Sequence, residues 1–306
     1  MPRVLVDVSD VDPAIELFGS RLAMPLVVAP VAFQRLVHPD GEEGMARAAG
    51  RAGTAMCLST LATTTPASLA AAAPETVRWF QLYSFKDRGV TEALLAEAVE
   101  SGFEAVALTV DAPYAGRRER DLRTGFLVEE SAPAVQAAIG SDGPVSVAEA
   151  FSLVDPSLDW DSLAALVESC ELPVLLKGVM SPADAELAIE AGAAGIVVSN
   201  HGGRQLDGVP ATIDVLRDIA DAVAGRIKVL VDGGIRRGTD VCVALALGAD
   251  AVLVGRPSLW GLAVDGEAGA LRVLELLREE IKLSLALLGC RTPADVSHSH
   301  VQRARR

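Results

Sequence analysis

PVLLKG at Pro173–Gly178 and GIVVSN at Gly195–Asn200 decide how this chain folds. Both runs are mostly apolar rather than alternating, the pattern of strands buried on both faces, as in a parallel sheet covered by helices. Between them Pro182–Ala191 carries helical spacing and stops at Gly192, a common helix-end signal. Strand, helix and strand make one β–α–β unit.

Working outward, the unit repeats. Buried-strand runs recur at Pro25–Pro30 (PLVVAP), Thr54–Ser59 (TAMCLS), Val77–Tyr83 (VRWFQLY), Ala105–Asp111 (AVALTVD), Lys228–Gly233 (KVLVDG) and Ala251–Arg256 (AVLVGR). Helical spacing returns at Val90–Ser101, Ile213–Ala224 and Thr239–Gly248. Eight such strands alternating with helices fit a closed barrel or a doubly wound sheet. The second usually opens with a G-x-G-x-x-G turn after its first strand, and no such turn is present. The count of eight favours a (β/α)8 TIM barrel, with residues 1–306 as one domain. The fourth and fifth runs start more than twice the usual interval apart, and the excess falls in Phe126–Asp155, rich in Ala, Ser, Gly and Pro. This segment leaves the strand-end face after the fourth strand, so it is expected to be a mobile lid.

Composition limits the rest. The 306 residues are 50% hydrophobic and 22% charged, ordinary for a chain with a large core. A formal net charge of −14 argues against nucleic acid and anionic membranes as partners. An anionic substrate must therefore meet a locally basic pocket. Cys57, Cys170, Cys242 and Cys290 form no C-x-x-C pair and have no histidine at metal-ligand spacing, so free thiols, no metal and a reducing, cytoplasmic setting are expected. No apolar run is long enough to span a bilayer, and MPRVLVDVSD lacks a signal-peptide pattern.

Catalytic groups of such barrels come from strand C-termini and the loops beyond them. Those positions hold Pro30, Val31 and Ala32; Ser59; Gln81 and Tyr83; Thr109 and Asp111, with Arg117 and Arg118 beyond; Lys177; Ser199, His201 and Arg204; Asp232, Gly234 and Arg236; Gly255 and Arg256. Of the four histidines, His38 lies in a loop and His298 and His300 in the polar tail, whereas His201 alone directly follows a buried strand. That placement marks it as a general base, with Asp111 a plausible partner for its imidazolium. Paired arginines suit a carboxylate clamp, and DGG followed one strand later by VGR suits a phosphate site.

These residues resemble the FMN-dependent 2-hydroxy acid oxidase and dehydrogenase family. The likeness runs from about Pro2 to Val301 and rests on QLY at Gln81, LTVDAPYAGRRERD at Leu108–Asp121, LKG at Lys177, SNHGGRQLD at Ser199–Asp207, DGGIRRGTDV and VGRP. The resemblance implies an enzyme that oxidises an (S)-2-hydroxy acid to the 2-keto acid, with FMN as cofactor. O2 is the expected acceptor, giving hydrogen peroxide; a quinone or carrier protein is the alternative. It implies His201 as proton acceptor, Asp111 as its partner, Arg118 and Arg204 on the substrate carboxylate, and Tyr83 on its hydroxyl or keto oxygen. Pro30, Val31 and Ala32 would support the flavin ring, with Ser59, Gln81 and Thr109 on its polar edge and Lys177 near N1 and O2. Ser199 would help hold the ribityl region, and Asp232, Gly234, Arg236, Gly255 and Arg256 the ribityl chain and phosphate. A homo-oligomer, by analogy a tetramer, is also implied.

Two departures qualify the resemblance. Family members usually carry a further N-terminal segment whose Tyr bonds the substrate carboxylate. Carboxylate binding is then expected to rest on the arginines, with weaker affinity or reduced activity. Leu61 stands where glycolate-oxidising members carry Trp, leaving room for medium-chain or aromatic 2-hydroxy acids. A flavin-binding barrel with little catalysis, a type 2 isoprenoid isomerase and an IMP dehydrogenase relative are competing readings. The set His201, Arg204, Arg118 and Asp111 argues against the first, and SNHGGRQLD with the paired arginines against the others.

Overall fold

The structure, a computed structural model, describes residues 1–126, 128 and 130–302. After a short hairpin of β1 (Ile15–Leu17) and β2 (Ser20–Leu22) come eight parallel strands: β3 (Leu26–Val28), β4 (Ala55–Ser59), β5 (Arg78–Leu82), β6 (Ala105–Thr109), β7 (Val174–Val179), β8 (Gly195–Val198), β9 (Lys228–Val231) and β10 (Ala251–Val254). They pair in sequence order and close by β10 against β3, with Val252 opposite Leu26. The expected (β/α)8 barrel is therefore the fold, and all eight expected strands are in it.

Each barrel strand leads to a helix on the outside. These are α1 (Gly41–Ala52), α2 (Pro66–Ala72), α3 (Arg88–Glu100), the inserted α4 (Glu119–Thr124), α5 (Pro133–Ala138) and α6 (Val147–Leu153) followed by α7 (Trp160–Ser169), then α8 (Pro182–Glu190), α9 (Thr212–Val223), α10 (Gly238–Ala246) and α11 (Arg256–Leu288). The unit read first shows why. Ser181 accepts a hydrogen bond from the Asp184 N–H and Pro182 opens the first turn, so α8 starts there. Gly192 at φ +80° reverses the chain beyond its end.

Strand alternation creates two cores. One set of side chains, with Leu58, Phe80, Leu108, Leu176 and Ile196 among them, packs outward under the helices. The other set fills the barrel with Val27, Cys57, Trp79, Ala107, Leu175, Val197, Leu230 and Leu253. The hairpin plugs the end where the strands begin: Leu17 and Leu22 join this inner cluster, and Phe18 meets Trp79 edge-on at 5.5 Å. Advancing two residues from the inner positions at the other end gives Ser59, Gln81, Thr109, Lys177, Ser199, Asp232 and Gly255. The period-two geometry of a strand thus aims the polar set into the barrel mouth.

The segment Phe126–Asp155, expected as a mobile lid, carries short helices. Leu127 and Glu129 lie outside the described residues, but α5 and α6 occupy much of the remainder, and Ala132, Val135, Val145 and Ala150 are buried. Lys86 N–H donates to the Leu153 carbonyl and Asp155 N–H to that of Ser84, pinning the end of the insert to the loop after β5. Helices of six and seven residues complete too few turns to show a period in the sequence. Among the described residues no helix is long and apolar enough to cross a membrane.

Candidate active site

The mouth of the barrel holds a cavity of about 490 Å³. Of the residues expected to form the site, Pro30, Val31, Ala32, Ser59, Leu61, Gln81, Tyr83, Thr109, Arg118, Lys177, His201, Arg204, Asp232, Gly234, Arg236, Gly255 and Arg256 all line it. Asp111 and Ser199 do not. Both stand one layer behind, Asp111 against His201 and Ser199 against Lys177 and Asp232.

His201 follows β8 with φ +57°, and Gly202 and Gly203 continue in the left-handed region. Such a conformation costs a side-chain-bearing residue about 1–2 kcal/mol. Histidine tolerates it better than most, and the two glycines extend the turn freely. The turn is held from below, where the His201 N–H donates to Ser199 Oγ at 3.1 Å. His201 Nδ1 then lies 3.0 Å from Asp111 Oδ1, so the second ring nitrogen is the one left for a ligand. Gly178 makes this pairing sterically feasible. It sits at φ +118° beside an irregularity in the β7–β8 register, and a Cβ there would stand 2.6 Å from the Asp111 Cβ.

Arg118 and Arg204 enter from the loops after β6 and β8. Among the described residues neither forms an ion pair, and the buried Arg118 Nε has no hydrogen-bond partner. Partial burial, and then the like charge of Arg118, lower the pKa of Arg204. An arginine in protein remains protonated nonetheless, so two cations converge on the cavity of an acidic protein. That combination calls for an anion between them. Tyr83 is buried, and burial, followed by the charge of Asp111, pushes its phenol upward, so it acts as a neutral hydroxyl.

The deeper part of the cavity is polar in another way. Gln81 Nε2, Thr109 Oγ1 and Asp232 Oδ1 are buried without partners among the described residues, although buried polar atoms are ordinarily hydrogen-bonded. The Gln81 carboxamide is oriented by Ser59, whose hydroxyl donates to its Oε1 at 3.1 Å, so Nε2 faces the cavity. Lys177 Nζ donates to Ser199 Oγ at 3.2 Å, and Ser199 donates on to Asp232 Oδ2 at 2.8 Å. The Ser199 hydroxyl is thus held in a buried network directly behind the cavity wall. Among the described residues nothing lies within 4 Å of where a Cβ would stand at Gly234 (φ +80°), and Gly255 precedes the first turn of α11. Arg236, stacked 5.1 Å over the Trp260 ring, and Arg256 complete a basic, N–H-rich corner suited to a phosphate. Unpaired donors and acceptors at one end and a phosphate corner at the other fit FMN.

Sequence reasoning missed several parts of this wall. Phe126, Val128, Val147 and Phe151 reach it from the insert, with Phe151 against Tyr83 at 5.5 Å between ring centres, and Leu36 reaches it from the loop after β3. The sequence puts the insert at the strand-end face as a whole, but its short helices show no period that would say which side chains turn inward. Gly178 had a signal, being the glycine that directly follows Lys177 in LKG.

Comparison with known proteins agrees with this geometry. The family model for FMN-dependent dehydrogenases matches residues 1–303. The chain is 47% identical to glycolate oxidase 3 of Arabidopsis thaliana and 46% identical to glycolate oxidase of Spinacia oleracea, covering 98% of this chain and 83% of each relative. Among solved structures it is similar to mandelate oxidase with (S)-4-hydroxymandelic acid, at a TM-score of 0.90, 44% identity and coverage of 97% and 84%. Mandelate oxidase with benzoylformic acid aligns at a TM-score of 0.87 and 45% identity, covering 97% and 83%. With its barrel, its paired His201 and its cofactor-shaped cavity, the chain belongs to the FMN-dependent dehydrogenase family.

Proposed function

We propose that this protein oxidises (S)-2-hydroxy acids to 2-keto acids with FMN, and passes the electrons to O2 to give hydrogen peroxide. The observation that carries the reading is the His201–Asp111 pair beside two arginines with no ion-pair partner among the described residues. Converting a 2-hydroxy acid to its keto acid removes two electrons and two protons, and O2 takes up both to form one hydrogen peroxide. FMN, when bound, supplies the acceptor for the electron pair. The protein supplies the rest. Arg118 and Arg204 hold the carboxylate, Tyr83 orients the hydroxyl, and His201 takes a proton as Asp111 stabilises the imidazolium. Lys177, which lines the cavity, would supply positive charge to the bound cofactor.

The glycolate oxidases and mandelate oxidase are named for substrates of different size. In this chain the side-chain pocket is framed by Leu61, Leu36 and the apolar residues of the insert. That frame supports an aromatic or medium-chain substituent over glycolate, with the insert acting as a cover. A stripe of exposed Leu276, Leu283 and Leu287 along α11 supports self-association, which sedimentation would test. For the activity, the FMN-loaded protein is mixed without oxygen with each enantiomer of mandelate, with 2-hydroxyoctanoate and with glycolate, and then exposed to air. Bleaching by (S)-mandelate and rapid recolouring in air are expected. Slow recolouring that a quinone accelerates would make it a dehydrogenase, and no bleaching by any 2-hydroxy acid would refute the reading.

A further inference from the structure

Gln205 has no part in the site described above, yet its side chain joins the two loops that carry the catalytic groups. Its Nε2 donates to the Asp111 carbonyl at 3.0 Å and to the Tyr114 carbonyl at 3.0 Å. Its Oε1 accepts from the Gly116 N–H at 3.0 Å. All three bonds go to the loop that runs from β6 to Arg118. Among the described residues, no other hydrogen bond is made by the backbone of Asp111–Arg117. The carboxamide orientation is fixed as well, since turning it over would set its oxygen against two carbonyls and its NH2 against an N–H.

A second observation points the same way. Gly116 packs so closely on the other loop that a Cβ there would collide with the Arg204 carbonyl oxygen and come 2.8 Å from the Gln205 Cα. The two loops therefore meet backbone to backbone immediately before Arg118 on one and at Arg204 on the other. Neither loop has regular secondary structure at this point. Register within the barrel sets where β6 and β8 end, but it does not determine the separation of groups several residues beyond them.

We propose that Gln205 is a positioning residue, a clamp that holds the loop after β6 against the loop after β8. It thereby fixes Asp111 on His201 and Arg118 beside Arg204. The proposal rests on the assignment of those four residues to 2-hydroxy acid oxidation. Removing the clamp should loosen the carboxylate site and the catalytic pair together and leave cofactor binding intact, because the cofactor wall comes from strand ends that Gln205 does not touch.

The test uses the FMN-loaded protein with Gln205→Met, which keeps length and volume but makes none of the three bonds, and with Gln205→Glu, which keeps only an acceptor for Gly116. Gly116→Ala is an independent arm that pushes the loops apart without altering Gln205. The readouts are FMN content, the dissociation constant of phenylacetate (a carboxylate that cannot be oxidised at a hydroxyl) from its perturbation of the flavin band, the rate of anaerobic reduction by mandelate, and amide exchange in 112–118. All three variants are expected to keep FMN, to weaken phenylacetate and slow reduction by at least about tenfold each, and to exchange faster in 112–118. Misplacement of catalytic groups by about 1 Å suffices for losses of that size. Residues that only fill space would tolerate Met and Glu. Wild-type phenylacetate affinity and wild-type exchange in Gln205→Met would overturn the proposal, as would an unchanged Gly116→Ala. If no 2-hydroxy acid reduces even the wild-type protein, the functional reading fails, while the exchange data still decide whether Gln205 holds the loop.

Discussion

Replacing Asp111 with Asn should slow flavin reduction by about 10- to 100-fold without destabilising the protein. The two effects have separate origins in the geometry. Asp111 Oδ1 lies 3.0 Å from His201 Nδ1, with the side chains 15% and 21% exposed, so solvent screens the pair only in part. A hydrogen bond between charged groups contributes about 1.5–3 kcal/mol and a neutral one about 0.5–1.5 kcal/mol. The amide oxygen of the substituted side chain still accepts from Nδ1–H, so the neutral imidazole keeps its orientation. What is lost is the extra stabilisation of the imidazolium formed as the substrate is oxidised, together with the field of the carboxylate at slightly longer range. A loss of about 1.5–3 kcal/mol in the transition state converts to roughly 10- to 100-fold in rate. Stability responds differently, because Asp111 Oδ2 is buried with no hydrogen-bond partner among the described residues. Burying a charge with one oxygen unpaired is costly, and the neutral amide removes the charge. The melting temperature should therefore be unchanged or slightly higher. Anaerobic stopped-flow reduction by (S)-mandelate gives the rate, and thermal unfolding of the FMN-loaded protein gives the stability. A reduction rate within twofold of wild type would refute the role given to the pair. A large fall in melting temperature would show instead that Asp111 serves the fold.

Arg118→Lys and Arg204→Lys should each raise the phenylacetate dissociation constant by about tenfold, since a lysine keeps the charge but cannot form the bidentate pair; titration of the flavin band checks this. Leu61→Trp should shift the ratio of kcat/KM for glycolate over mandelate upward by about tenfold or more, because the larger ring fills the side-chain pocket that Leu61 helps to frame. Glu267 receives Arg47 Nε at 2.7 Å and Arg51 at 3.0 Å, and the Arg47 hydrogen bond is the leading cause that holds its carboxyl below the usual range. A carboxyl lowered in the folded state stabilises above its unfolded pKa, and that contribution is lost as pH falls through the folded value. Glu267→Gln should therefore lower the melting temperature near neutral pH by about 1–2 °C, the effect of a partly exposed pair worth up to about 1 kcal/mol, and should have no effect in strong acid. Calorimetry at the two pH values distinguishes this from a pH-independent packing loss.

The fold was legible because its repeating unit is local. Apolar runs such as PVLLKG and GIVVSN and glycine stops such as Gly192 are set by neighbours a few residues away, and eight of them closed as expected. The site was legible for the same reason. Alternation along each strand carries Ser59, Gln81, Thr109, Lys177 and Asp232 to the inner face, and the strand ends could be counted. Legibility stopped where position depends on another part of the chain. Ser199 ends a strand, but the bonds that tie its hydroxyl to Lys177, Asp232 and the His201 N–H could not be read from that position alone. Phe126 and Phe151 line the pocket through an insert whose short helices carry no period. Gly178 and Gly116 matter for what a Cβ would strike across a gap, a contact invisible until the partner loop is in place.

The role proposed for His201 is to take a proton from the bound 2-hydroxy acid. Anaerobic addition of (S)-mandelate to the FMN-loaded wild type and to His201→Gln decides it. The wild type should bleach, whereas His201→Gln should carry the same amount of FMN and remain yellow over the same time. A His201→Gln protein that bleaches at the wild-type rate would remove His201 from its role, and a wild-type protein that takes up no FMN would contradict the account as a whole.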